Sequence, residues 1–380
     1  MPDTVEIGIG RDARRVYGLD QVAIVPSRRT RSSADVSTAW QIDAYRFDIP
    51  LLTRPSDAVV SPQVAVAVGR LGGLGVLDGE GLWTRHEQPQ SVIDELVRTA
   101  EQAADPAEVT AALQRAYSSP VRDDLVQQAV AELRADGGTV AVRVSPQNAA
   151  ALAPSLVAAG VELLVIQGTI VSAEHVRVGR GGEEQPLNLK SFISDLEIPV
   201  VVGGCTNYQT ATHLMRTGAA GVIVGTGAGP TSTTDEVLGM AVPMATAIAD
   251  AAAARRSYLD ETGGRYVHVI ASGPIETSGD IAKAIACGAD AVMLGEPLTA
   301  AAEAPADGWF WPSTAAHPVL PRGYAAPCGP ADVPLEQLLL GPAAGADGRT
   351  NLFGGLRRAM AKAGYSTLKD FQRVGLTVSI

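Results

Sequence analysis

The 380-residue chain carries a formal net charge of -11, with 46% hydrophobic residues, 4% aromatic residues and 40 glycines. That acidic balance argues against nucleic acid or an anionic membrane as a partner, and no apolar run reaches the roughly 18 residues of a spanning helix. Three widely spaced cysteines (Cys205, Cys287, Cys328) form neither a metal cluster nor a disulfide framework, and no signal peptide is visible, so a reducing, cytoplasmic location is expected.

Residues 1–48 read as a polar, irregular N-terminal extension. Ile49–Thr53 follows as a first short strand, Ser61–Leu71 as a helix with Pro62 in its first turn, and Gly72–Leu77 as a second strand. Residues 88–137 carry helical patterns over Ser91–Ala104 and Asp123–Ala135, with polar turns between them. Thr139–Val144 is a third strand, Ala149–Ala159 a helix and Val161–Ile166 a fourth strand.

An internal repeat then emerges. Ala159–Ile166, Thr217–Val224 and Cys287–Leu294 each read as a helix end, a C-terminal glycine and a buried apolar strand. Ile198–Gly203 and Tyr266–Ile270 are strands of the same kind, bringing the set near residues 50, 73, 140, 162, 199, 221, 267 and 290. Strands alternating with helices at this length predict an α/β chain, a single-domain (β/α)8 barrel over residues 1–380. Two stretches depart from the repeat: a polar insertion at Gly179–Gln185, and residues 299–350, rich in Ala, Pro and Gly. The second suggests a flap over the barrel mouth, a subunit contact or a packed surface loop. Within it, Trp309-Phe310-Trp311 suits either a cover for the site or an oligomer contact. His268, inside a strand, reads as a satisfied core histidine.

The strand Gly221–Val224 runs into a glycine-spaced loop with Gly225, Gly227 and Gly229, then Ser232, Thr233 and Thr234. Glycines let a ligand approach the main chain, and strand ends in α/β folds are where ligand sites form. By itself the pattern serves a site and an ordinary turn equally well.

Read together, the strand-end segments resemble the IMP dehydrogenase/GMP reductase family. Leu19–Pro26 looks like its opening segment, Gly72–Leu77 its second strand, and Gly225–Thr234 with Val242–Ile248 its catalytic loop and following helix. Thr277–Gly295 is the most specific match, and Gly354-Gly355-Leu356-Arg357 resembles the C-terminal segment. About 60 residues lie between the second and third strands, too few for regulatory cystathionine-synthase-type domains. The likeness is greatest to the actinobacterial IMP dehydrogenase-related branch.

The resemblance implies a purine or purine-like ligand, NAD or NADP as cofactor, hydride transfer at the purine C2, and a homotetramer. It also marks departures. Ser232 stands where the family carries its nucleophilic cysteine, flanked by Thr233 and Thr234, and a serine lacks a thiolate's nucleophilicity near neutral pH. Ser272 replaces the ribose-holding aspartate beside Gly273, and Pro274 has no N–H to offer a phosphate. Glu296, after Gly295, replaces a phosphate-binding hydroxyl, which predicts repulsion of a dianion by several kcal/mol. Gln167 replaces an aspartate on the cofactor side. Cys205 faces the same mouth as a displaced thiol or is a small buried cysteine. An altered oxidoreductase is expected, or a catalytically inactive relative that binds a ligand or regulates a partner enzyme, and no metal.

Overall fold

The computed structural model describes residues 4–27, 29–175, 187–227, 234–313 and 324–379. Eight parallel strands form its centre: β1 (Leu51–Thr53), β2 (Val76–Asp78), β3 (Ala141–Val144), β4 (Leu163–Gln167), β5 (Val200–Cys205), β6 (Gly221–Val224), β7 (His268–Ala271) and β8 (Ala291–Leu294). Their order is β1-β8-β7-β6-β5-β4-β3-β2, so β8 returns to β1. The seam between β1 and β2 is bridged just ahead of β2. There Leu52 pairs with Leu74, and the Thr53 N–H donates to the Leu74 carbonyl at 3.0 Å. Val76 N–H donates to Thr53 Oγ1 at 2.8 Å. This is the expected (β/α)8 barrel.

Every residue of the eight strands is buried except His268, which is partly so. A parallel sheet packed by helices outside and side chains inside has no solvated face, which is why the strands read as continuous apolar runs. The interior is not wholly apolar. Arg143 of β3 pairs with Asp78 of β2 at 3.2 Å, both side chains under 5% exposed, and donates to the Gln167 carbonyl at 2.8 and 3.2 Å.

The flanking elements follow local rules, with corrections to the sequence reading. Ser61 caps the helix Pro62–Arg70 by accepting from Val64 N–H at 3.0 Å. A further helix, Pro106–Ser118, occupies a stretch expected to hold only polar turns. Its signals are present in the sequence: Asp105 caps it, Pro106 opens it, and Ala112, Leu113, Ala116 and Tyr117 face the core.

The N-terminal extension is not irregular. Thr4–Gly8 pairs with Arg11–Arg14, Val22–Ile24 with Leu376–Val378, and Trp40–Ile42 with Tyr45–Phe47. The last hairpin closes the lower end of the barrel: Ile42 is fully buried against Gly221 at the start of β6, and Trp40 meets His268 edge-on at 5.9 Å. The described parts of 299–350 are ordered too, because small residues let the main chain pack closely. Ala301, Ala304, Ala306, Phe310 and Trp311 are buried, and Trp309–Phe310 pairs with Ala326–Pro327. The insertion at 179–185 lies outside the described residues. No described helix is long and apolar enough to cross a membrane.

Candidate functional site

Strand ends β1, β4, β6, β7 and β8 converge at the upper rim. Gly225 leaves β6 with φ +125°, and its N–H donates to the Cys205 carbonyl at 2.8 Å. A Cβ there would collide with the Ser272 carbonyl oxygen, so the loops after β6 and β7 touch backbone to backbone. Ser272 is pinned in turn by its N–H on the Val224 carbonyl at 2.8 Å.

Around this contact lies a small cavity of about 20 Å³, lined by Arg54, Gln167, Gly225, Thr226, Gly227, Ser272 and Ser313 among others. A larger cavity of about 650 Å³ shares Thr226, Gly227 and Ser272 with it. Leu19, Met240, Val242 and Met244 give the larger one an apolar floor, and Gly273 and Pro274 form part of its wall. Gly273 is held close to Met244, whose side chain would lie 2.6 Å from an added Cβ. The charged residues of its lining, Asp20, Asp235, Glu276 and Asp280, are all acidic.

Glu296 has a partner that sequence reasoning missed. Arg54, which follows β1, places Nη1 3.2 and 3.4 Å from the two Glu296 carboxylate oxygens. Both side chains are largely withdrawn from water, at 14% and 17% exposure. The guanidinium also lies 5.5 Å from the Phe310 ring centre, and Gly295 leaves room for it, since a Cβ there would approach Arg54 Cδ to 2.9 Å. Glu296 is therefore not the uncompensated charge expected: a positive charge stands beside the negative one and reduces the repulsion expected of a dianion. Nothing local betrays Arg54, because its partner is 242 residues away.

The other predicted residues separate into three groups. Gln167, Gly225, Gly227 and Ser272 meet at the small cavity, with Gln167 Nε2 3.4 Å from Met293 Sδ. Thr234 is buried and donates to the Thr226 carbonyl at 2.9 Å, which ties the two described ends of the loop together. Gly229, Ser232 and Thr233 lie outside the described residues.

Cys205 is packed rather than open. It is 3% exposed, its Sγ lies 3.5 Å from the Ile223 carbonyl, and burial pushes the thiol up to about 12. Of the two readings of Cys205, the geometry is that of the small buried cysteine. Cys328 is exposed, but partial burial and the nearby Glu296 carboxylate raise its thiol as well.

A buried polar chain supports the rim. Asp57 Oδ2 accepts from Tyr117 Oη at 2.6 Å and from Leu82 N–H at 3.0 Å, while Oδ1 has no partner among the described residues. Tyr117 Oη accepts from Trp311 Nε1 at 2.9 Å, and Ser56 Oγ donates to the Trp311 carbonyl at 2.5 Å. Burial first, and the Asp78 charge second, push Asp57 up to about 7. Trp311 is 1% exposed, so it anchors the segment that brings Ser313 to the mouth.

His268 belongs to the opposite end. It is a core histidine as expected but not a satisfied one, since its buried Nδ1 has no hydrogen bond among the described residues and Asp290 Oδ2 is 4.0 Å away. Burial pulls it down to about 4.

Residues 16–316 match the family model described as the IMP dehydrogenase/GMP reductase domain. The chain is 62% identical over 376 residues to a Mycolicibacterium smegmatis protein called an uncharacterized oxidoreductase, with 98% of this chain and 99% of that one covered. It is 25% identical to the inosine-5'-monophosphate dehydrogenase of Methanocaldococcus jannaschii, over 77% and 74% of the two chains. A crystal structure of an IMP dehydrogenase/GMP reductase-like protein from Corynebacterium glutamicum superposes with TM-score 0.93 at 53% identity, covering 99% and 98%.

Proposed function

Because the chain belongs to the IMP dehydrogenase/GMP reductase family, we propose that it is an NAD(P)-dependent oxidoreductase whose purine-like ligand lies across the two joined cavities of the barrel mouth. The observation that carries this reading is the shared wall. Thr226, Gly227 and Ser272, from the loops after β6 and β7, line both spaces, so a single ligand spans an apolar floor and a polar head site.

The apolar lining of Leu19, Met240, Val242 and Met244 suits a planar ring, and the carboxylates of Asp20 and Asp235 in the same lining suit ring N–H groups and ribose hydroxyls. The same lining fits the ring and ribose of a nicotinamide cofactor but not its diphosphate, for which it offers no cation among the described residues. When bound, such a cofactor supplies a hydride acceptor or donor. The chain's own part is to orient the ligand with Ser272 and the Gly225–Gly227 backbone and to keep water off the floor.

Ser232 stands in place of the family's thiol, so ordinary IMP dehydrogenase activity is not expected. The burial of Cys205 favours a second reading, a relative that binds the same ligand without turnover, because among the described residues lining either cavity there is no thiol.

Thermal-shift and calorimetric panels of IMP, XMP, GMP, their nucleosides and bases, each with and without NAD or NADP, test the proposal. Stabilisation by a purine compound that changes with the cofactor is expected. Stabilisation by none of them removes the reading. Cofactor-independent binding with no change in nicotinamide absorbance supports the non-catalytic one. Rapid NADH formation from IMP, abolished by Ser232→Ala, overturns the expectation about ordinary activity.

A further inference from the structure

The Arg54 guanidinium is only partly used. Nη1 is engaged with Glu296, whereas Nε and Nη2 have no hydrogen-bond partner among the described residues, and the side chain lines the small cavity. Ser272 offers a second open group at the same place: it is 5% exposed, lines the cavity, and its hydroxyl has no partner among the described residues. Gln167 adds an amide whose Nε2 donates, among the described residues, to the weak acceptor Met293 Sδ. These are mainly donor groups around a cavity of about 20 Å³, room on the order of one water-sized group. The fork of a guanidinium matches two coplanar oxygens, and so small a space admits the edge of a flat group more readily than a tetrahedral one.

Charge narrows the choice further. Glu296 already balances Arg54, and the adjoining cavity contributes Asp20, Asp235, Glu276 and Asp280. Of these, Glu276 is offset by Arg349 at 2.6 Å. A ligand group bearing two negative charges meets more negative than positive charge at close range, whereas a singly charged one replaces a share of Glu296's hold on Arg54.

We infer that Arg54 is the specificity-determining residue of the mouth, that it takes the planar, singly charged oxyanion of a carboxylate-bearing ligand, and that Glu296 beside it disfavours a dianionic phosphate. The inference rests on the reading of the mouth as the site of a purine-like ligand and names the chemistry of that ligand's head group.

Calorimetry on the full chain with three matched probes tests it: inosine, inosine 5'-carboxylic acid and IMP, alongside the purine-free pair ribofuranuronic acid and ribose 5-phosphate. The carboxylic acid is expected to bind about tenfold or more tightly than inosine or IMP, with Arg54→Gln removing that advantage and Arg54→Lys keeping only part of it. Glu296→Gln is expected to move the preference toward the phosphate by a similar factor. Arg54→Gln leaves Glu296 unpaired, so the double variant Arg54→Gln/Glu296→Gln, which keeps a neutral pair, guards against loss of fold. IMP bound most tightly by the wild type, or carboxylate binding that survives in Arg54→Gln and in the double variant, overturns the inference. If the inosine compounds fail while ribofuranuronic acid binds through Arg54, the purine reading falls and this one stands. If neither carboxylate binds, this inference falls.

Discussion

Asp57 and His268 are two buried titratable side chains with opposite effects on stability. Asp57 is raised to about 7, so between its unfolded value near 4 and pH 7 the native state holds a proton that the unfolded chain has released. Its contribution is largest at acid pH and declines as pH rises through that window, by on the order of a few kcal/mol. Asp57→Asn is expected to flatten this decline, read as the difference between urea unfolding at pH 5 and pH 8. His268 is lowered to about 4, so its contribution is present above pH 6.5 and lost as pH falls toward 4. His268→Phe is expected to raise stability at pH 5 relative to pH 8, since it removes the proton-binding deficit of the native state. The two windows overlap, so each variant is compared with wild type separately.

At the scale of the element, the contact between the loops after β6 and β7 depends on one missing side chain. Gly225 combines a φ of +125° with a main-chain oxygen where its Cβ would go. Gly263, which caps the helix Met244–Thr262, has a φ of +68° but open space around it. Gly263→Ala is therefore expected to cost about 1 kcal/mol, from backbone strain alone, and Gly225→Ala roughly 4 kcal/mol or more. Thermal melts of the two variants side by side check the difference. Equal shifts would mean that the loop after β6 moves freely. The same scale governs the helix Pro106–Ser118, whose Asp105 cap, Pro106 start and core-facing Ala112, Leu113, Ala116 and Tyr117 are all local signals.

For the whole molecule, the barrel interior carries a buried ion pair that joins β2 to β3 and, through the Gln167 carbonyl, to β4. Arg143→Met leaves Asp78 unpaired in the core and is expected to cost about 3–5 kcal/mol, measurable by denaturant unfolding near neutral pH. The family resemblance implies a homotetramer, and Ile7 and Ile9, at 67% and 105% exposure on the N-terminal hairpin, offer apolar surface for such contacts. Sedimentation is expected to give four times the 39.3 kDa chain mass, and Ile9→Asp to shift the population toward smaller species. A monomeric wild type would remove this expectation.

What the sequence determined by itself is the barrel. A helix end, a glycine and a buried run such as Cys287–Leu294 lie within a few residues of one another, so each strand is encoded locally, and repetition yields the architecture. The glycines and hydroxyl residues of the loop after β6 were legible for the same reason, and so was Glu296 as a departure from the family. Their electrostatic setting was not. Arg54 and Glu296 are neighbours only because β8 returns to β1 in a register that sets Leu294 beside Thr53, after which the Arg54 N–H donates to the Leu294 carbonyl at 2.6 Å. Closing the ring brings residues 242 positions apart into one ion pair. No local pattern carries that information, because the pairing energy exists only once the register of the closed barrel is set.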